Sequence, residues 1–101
     1  MKRAFITISL GIAIAVLQST ACAEVDATLA QSKAKEYGCL ICHATDKKKV
    51  GPAYQAVSEK FKGKNASDVM VSMKSRPAHE SVLKKTSDDS LKVIFEWILT
   101  L

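Results

Sequence analysis

The chain is short of cysteine, histidine and strand-forming pattern, and each shortage closes off a reading. No segment alternates apolar and polar residues with the period of a half-buried strand, so the domain is expected to be all-α. No second cysteine pair exists, and only two histidines. That stands against a structural zinc site, which commonly collects its four ligands as two separated pairs. The βαβ patterning of a thioredoxin-like redox site is missing as well. No apolar run reaches the roughly 20 residues of a membrane-spanning helix, so stable membrane insertion is not expected. There are no internal repeats, no low-complexity tract and no linker to a second domain. Neither a nucleophile and base pair nor a substrate domain is visible, and no independent enzyme is expected.

What is present begins with a positive start, Met1-Lys2-Arg3, followed by an almost wholly apolar stretch from Ala4 to Leu17. Small residues follow, and Ala21-Cys22-Ala23 fits an A-x-A cleavage pattern. Residues 1–23 therefore read as a secretory signal peptide, removed after Ala23 (after Ala21 is nearly as good), with the mature domain covering 24–101. Export places the protein in the periplasm. Cys22 could instead be the lipidated first residue of a lipoprotein, but Ser19 stands where such a cysteine needs leucine, so lipid anchoring through Cys22 is the lesser reading. Loss of Lys2 and Arg3 lowers the formal charge from +5 by two. A domain this short seldom builds enough core alone and usually needs a disulfide, a metal or a cofactor.

The mature chain carries helix punctuation throughout. Asp26 is placed to cap a helix running to about Tyr37, with Ala27, Ala30, Ala34 and Tyr37 along one side and Gly38 as its stop. Lys47-Lys48-Lys49 is a charged loop and Gly51-Pro52 a turn. A short helix is expected over 53–61, with Val57 and Phe61 inward, ending near Gly63. Asn65 or Ser67 can cap another through about Lys74, which Pro77 prevents from continuing. Ser87 caps the last helix, with Asp88 and Asp89 in its first turn, where carboxylates suit the helix dipole. Leu91, Ile94, Phe95, Ile98 and Leu99 then repeat at the spacing of one helix face. Few helices joined by long connections point to a domain wrapped around something.

The stretch "CLICH", Cys39 to His43, names the something. C-x-x-C-H is the attachment signature of c-type haem. Each cysteine sulfur forms a thioether with one vinyl group, and two intervening residues match the separation of the two vinyls. The adjacent histidine is then carried under the ring, where its imidazole can ligate the iron. A plain disulfide would have no need of His43. Haem is attached to c-type proteins after export, so the signal peptide agrees independently. The expected cofactor is one covalently bound haem c.

Residues 26–101 resemble the small class I bacterial cytochromes c, the short periplasmic monohaem kind. The likeness is carried by Tyr37-Gly38-Cys39-x-x-Cys42-His43-Ala44, Asp46-x-x-x-Val50-Gly51-Pro52-Ala53-Tyr54, Phe61-Lys62-Gly63-Lys64 and Glu96-Trp97-Ile98-Leu99. It implies a cytochrome c-like fold, with a few short helices and long loops around one haem. Cys39 and Cys42 are then the attachment points and His43 the proximal iron ligand. The resemblance makes Pro52 the residue whose carbonyl accepts a hydrogen bond from His43, and Trp97 the aromatic packing the last helix against the first, near Tyr37.

One landmark is missing. The family usually supplies the second axial ligand as methionine in a loop before the last helix, and here that loop, 76–85, reads "RPAHESVLKK". Arg76 occupies the slot in which a related wording has methionine before Pro-Ala-His. His79, a nitrogen donor in the correct loop, is taken as the distal ligand, with Met73 as runner-up. Met70, Lys84 or Lys85, and an open or water-filled site complete the alternatives. Lysine would have to lose a proton to ligate, which demands burial.

The function implied is electron transfer between redox partners. Lys47-Lys48-Lys49, with Lys60, Lys62 and Lys64, could ring the haem edge and steer docking to acidic patches on those partners. The alternatives are a small-ligand-binding or sensory haem protein with an open sixth site, or the electron-accepting cytochrome subunit of a periplasmic dehydrogenase. A monomer or a subunit of a redox complex is expected, and nucleic acid is not an expected partner.

Overall fold

The computed structural model describes residue 11 and residues 25–101. The signal-peptide reading of 1–23, the Cys22 alternative and the cleavage point lie outside the described residues, Gly11 apart. Within 25–101 the secondary structure is helical throughout. It comprises α1 (Ala27–Glu36), α2 (Cys39–Cys42, a single turn), α3 (Tyr54–Lys60), α4 (Ala66–Lys74), a 3-10 turn (Pro77–His79), α5 (Glu80–Leu83) and α6 (Asp88–Ile98). Among the described residues no helix is long and apolar enough to cross a membrane.

The caps follow the side chains that the sequence places at helix starts. Asp26 Oδ1 accepts from the Leu29 N–H at 2.9 Å. Asn65 and Asp68 form a reciprocal capping box at 3.1 Å each way, and Ser87 Oγ accepts from the Ser90 N–H at 3.3 Å. Gly38 ends α1 with φ 79°, a left-handed conformation that glycine adopts without steric cost. This sharp exit starts α2 at once.

The framework is α6 laid against α1, α3 and α4. Leu91, Ile94, Phe95, Trp97 and Ile98 are buried along α6, each contributing about 1.5–3 kcal/mol by removal from water. Ala30 and Ala34, both at 0 % exposure, give α1 a small-residue face that lets the helices approach. Ala27 differs from expectation: it is exposed in the first turn of α1. In α3 the buried residues are Tyr54 and Ser58, whereas Val57 and Phe61 are half-buried and line a cleft. Segment 76–85, expected as a loop, contains the 3-10 turn and α5, because Pro77 stops α4 without preventing a new turn from starting at itself.

Candidate haem site

The proximal wall is assembled from two short pieces of chain. α2 puts Cys39 and Cys42 three residues apart on one helical turn, hence on one face. The chain then leaves extended at His43 (φ −123°, ψ 150°). The Gly51 N–H donates to the Cys42 carbonyl at 2.7 Å, and Lys49 Nζ donates to the Leu40 carbonyl at 2.9 Å. Both bonds tie the 47–52 loop back onto the CLICH segment. His43 Nδ1 lies 2.6 Å from the Pro52 carbonyl oxygen. A carbonyl can only accept, so Nδ1 carries a proton and donates it to that oxygen.

Two further contacts hold that ring. Tyr54 stacks on it, with centroids 5.3 Å apart and planes 19° apart, and Trp97 meets Tyr54 edge-on at 5.6 Å. Gly51 lies so close that a Cβ there would overlap His43 Cε1 and stand 2.8 Å from each ring nitrogen. Burial pushes the Tyr54 phenol well above its ordinary value, so it stays protonated. Burial also pushes the Cys39 thiol up, an effect that the Tyr54 hydroxyl partly offsets.

The opposite wall comes from the end of α4 and the turn after it. His79 Nδ1 lies 2.7 Å from the Met73 carbonyl oxygen, so this imidazole too commits Nδ1 to a backbone acceptor. Its backbone N–H is fixed to the Arg76 carbonyl at 3.0 Å. The two imidazole centroids are 6.2 Å apart, with planes 30° apart.

Between the walls runs a cleft of about 560 Å³, within the ordinary size of a cofactor site. Val69, Leu91, Ile94, Phe95 and Ile98 give it an apolar floor, while Lys60, Arg76 and Lys85 also line it and no carboxylate does. An apolar slot with cations and no anions suits a flat tetrapyrrole bearing two carboxylates, and the cysteines and histidines of the same cleft suit its vinyls and iron.

No family model matches the chain. It is 32% identical over 73 residues to cytochrome c-551 of Pseudomonas aeruginosa, covering 65% of this chain and 70% of that protein. It is 31% identical over 75 residues to cytochrome c-552 of Hydrogenobacter thermophilus, covering 67% of this chain and 76% of that one. The chain belongs to the class I cytochromes c. The solved structure of the class 1 cytochrome MtoD from Sideroxydans lithotrophicus ES-1 agrees in fold, with TM-score 0.60 and 30% identity over 75% of this chain and 96% of that one.

As a class I cytochrome c, the protein carries one covalently attached haem c and transfers electrons to redox partners. Its cleft brings Cys39, Cys42, His43, Pro52, Met73 and His79 together. Met70 packs against the core without lining the cleft. Lys84 pairs with Glu80 at 3.3 Å on the surface, while Lys85 lines the cleft. Trp97 meets the Tyr54 ring edge-on, and the Tyr37 hydroxyl donates to Ser90 Oγ at 3.3 Å, which ties the end of α1 to α6. Gly51 and Tyr54, read from sequence only as a turn and a landmark, lie against the His43 imidazole. The glycine directly before a proline, eight residues past the motif histidine, was the available signal.

Proposed function

We propose that the mature protein, 24–101, is a periplasmic electron carrier, not an enzyme, with its haem iron held between His43 and His79. Bound haem supplies the one-electron redox chemistry, and the chain sets potential and access. Cys39 and Cys42 form the thioethers. The Pro52 carbonyl orients His43 and increases its basicity, and the Met73 carbonyl does the same for His79, the usual arrangement for a metal-bound histidine. The observation that carries this reading is the pair of imidazoles 6.2 Å apart, each with Nδ1 on a carbonyl.

Electrons would leave where the cleft reaches the surface. Ile41 and Val50, at 75% and 82% exposure, line its mouth beside Cys42. Lys47 and Lys48 are exposed next to them, so an apolar contact rimmed by positive charge would receive an acidic patch of a redox partner.

The optical spectrum of the oxidised and reduced holoprotein tests the ligand assignment. Two imidazoles give low-spin iron in both states, without the weak far-red ferric band of methionine sulfur. His79→Ala should open the site, giving high-spin iron and rapid carbon monoxide binding to the reduced form. A ferric methionine band in the wild type would pass the role to Met73, which also lines the cleft. Rapid carbon monoxide binding by the wild type would favour a ligand-binding protein instead.

A further inference from the structure

Resting on the two-histidine reading, the geometry points to Tyr54 as a positioning residue that holds the two axial imidazole planes near-parallel. An imidazole bound through Nε2 is free to turn about its bond to the metal unless something grips its flanks. His43 is gripped by the Pro52 carbonyl 2.6 Å from Nδ1, by the Gly51 backbone beside Cε1 and by the Tyr54 ring at 5.3 Å. The first two fix one edge of the ring, and Tyr54 presents a flat surface tilted only 19° from it. Tyr54 is in turn immobilised: it is 4% exposed and abuts Trp97 edge-on at 5.6 Å. On the other side the Met73 carbonyl fixes the His79 edge at 2.7 Å. The resulting planes differ by 30°, far from crossed.

The angle has an electronic consequence. Low-spin ferric iron keeps its unpaired electron in orbitals that overlap the imidazole π systems. Parallel rings raise one of those orbitals above its partner, whereas crossed rings leave the pair nearly degenerate. The first case gives a rhombic paramagnetic resonance spectrum with three resolved features, and the second a single strongly anisotropic low-field feature.

The test is low-temperature electron paramagnetic resonance of the ferric holoprotein, with Tyr54→Phe and Tyr54→Leu. The wild type should be rhombic, Tyr54→Phe should match it because the ring face is kept, and Tyr54→Leu should move or broaden the lowest-field feature without loss of low-spin ligation. Tyr54→Met serves equally if the leucine variant does not assemble. A single anisotropic feature in a wild type that retains two nitrogen ligands overturns the orientation and leaves the ligand pair standing. An unchanged spectrum for Tyr54→Leu or Tyr54→Met also overturns the role of Tyr54. Methionine ligation, read from the optical band, removes the ligand pair and this inference with it.

Discussion

Gly51→Ala isolates the close approach of the backbone to the His43 imidazole. The backbone at Gly51 is not left-handed, so alanine meets no conformational penalty there and its whole cost lies in the added methyl. That methyl would stand 2.8 Å from both His43 nitrogens and overlap Cε1. Ordinary contact needs about 3.5 Å, so ring and loop must part by at least about 0.7 Å to clear the nitrogens and by more to clear Cε1. The Nδ1 to Pro52 oxygen distance, now 2.6 Å, then passes the limit of about 3.2 Å for a sound hydrogen bond. Overpacking costs about 1–3 kcal/mol and the lost hydrogen bond about 1 kcal/mol, or about 2–4 kcal/mol together. In a domain of this size each kcal/mol moves the melting temperature by about 4–8 °C, so a fall of about 10–30 °C is expected in the holoprotein. The reduction potential should rise as well, because a His43 deprived of its acceptor is a weaker donor to ferric iron. Each tenfold loss of ferric over ferrous preference adds about 59 mV. Pro52→Ala is the control, since the acceptor is a backbone carbonyl that alanine retains. A Gly51→Ala protein melting and titrating like the wild type would refute the claim that the imidazole requires a glycine there.

Met73→Ala, at a partly buried side chain, should cost less than the about 2–5 kcal/mol of a fully buried methionine in a chemical denaturation curve while leaving the iron low-spin; a change of spin state would make the thioether a ligand. Reversing charge at Lys47 and Lys48 should flatten the ionic-strength dependence of electron transfer to an acidic partner, an interaction screened beyond about 10 Å at 0.1 M salt; an unaltered slope would mean that these lysines are merely solvated. Cys39→Ala should leave at most one thioether, seen as a shifted pyridine haemochrome band and, in intact mass, as haem held at Cys42 alone. Wild-type protein matured in competent cells but lacking bound haem by mass would remove the basis of all these expectations.

Much of this protein can be read locally, because much of it is decided locally. A helix cap needs a side-chain oxygen within three residues of its donor, so Asp26, Asn65 and Ser87 declare themselves in the sequence and do cap in the structure. The C-x-x-C-H spacing is likewise a property of one helical turn. Local pattern served less well at 76–85, where Pro77 reads as a breaker and also begins a new turn. It did place Val57 and Phe61 inward, where they pack against the core and line the cleft, but it did not single out Tyr54 and Ser58 as the residues buried on α3. The sequence by itself determined the helical class, the haem motif and the absence of a methionine in the expected distal loop. Only the tertiary structure decided that His79 lies 6.2 Å from His43, that Gly51 lies against the proximal ring, and that Tyr54 stacks on it. The first and last bring together segments gathered by α6 packing against α1, α3 and α4, and the second follows from the hydrogen bonds that fold 47–52 back onto Cys39–His43. No residue's own propensity encodes them, because they depend on how separate segments come together.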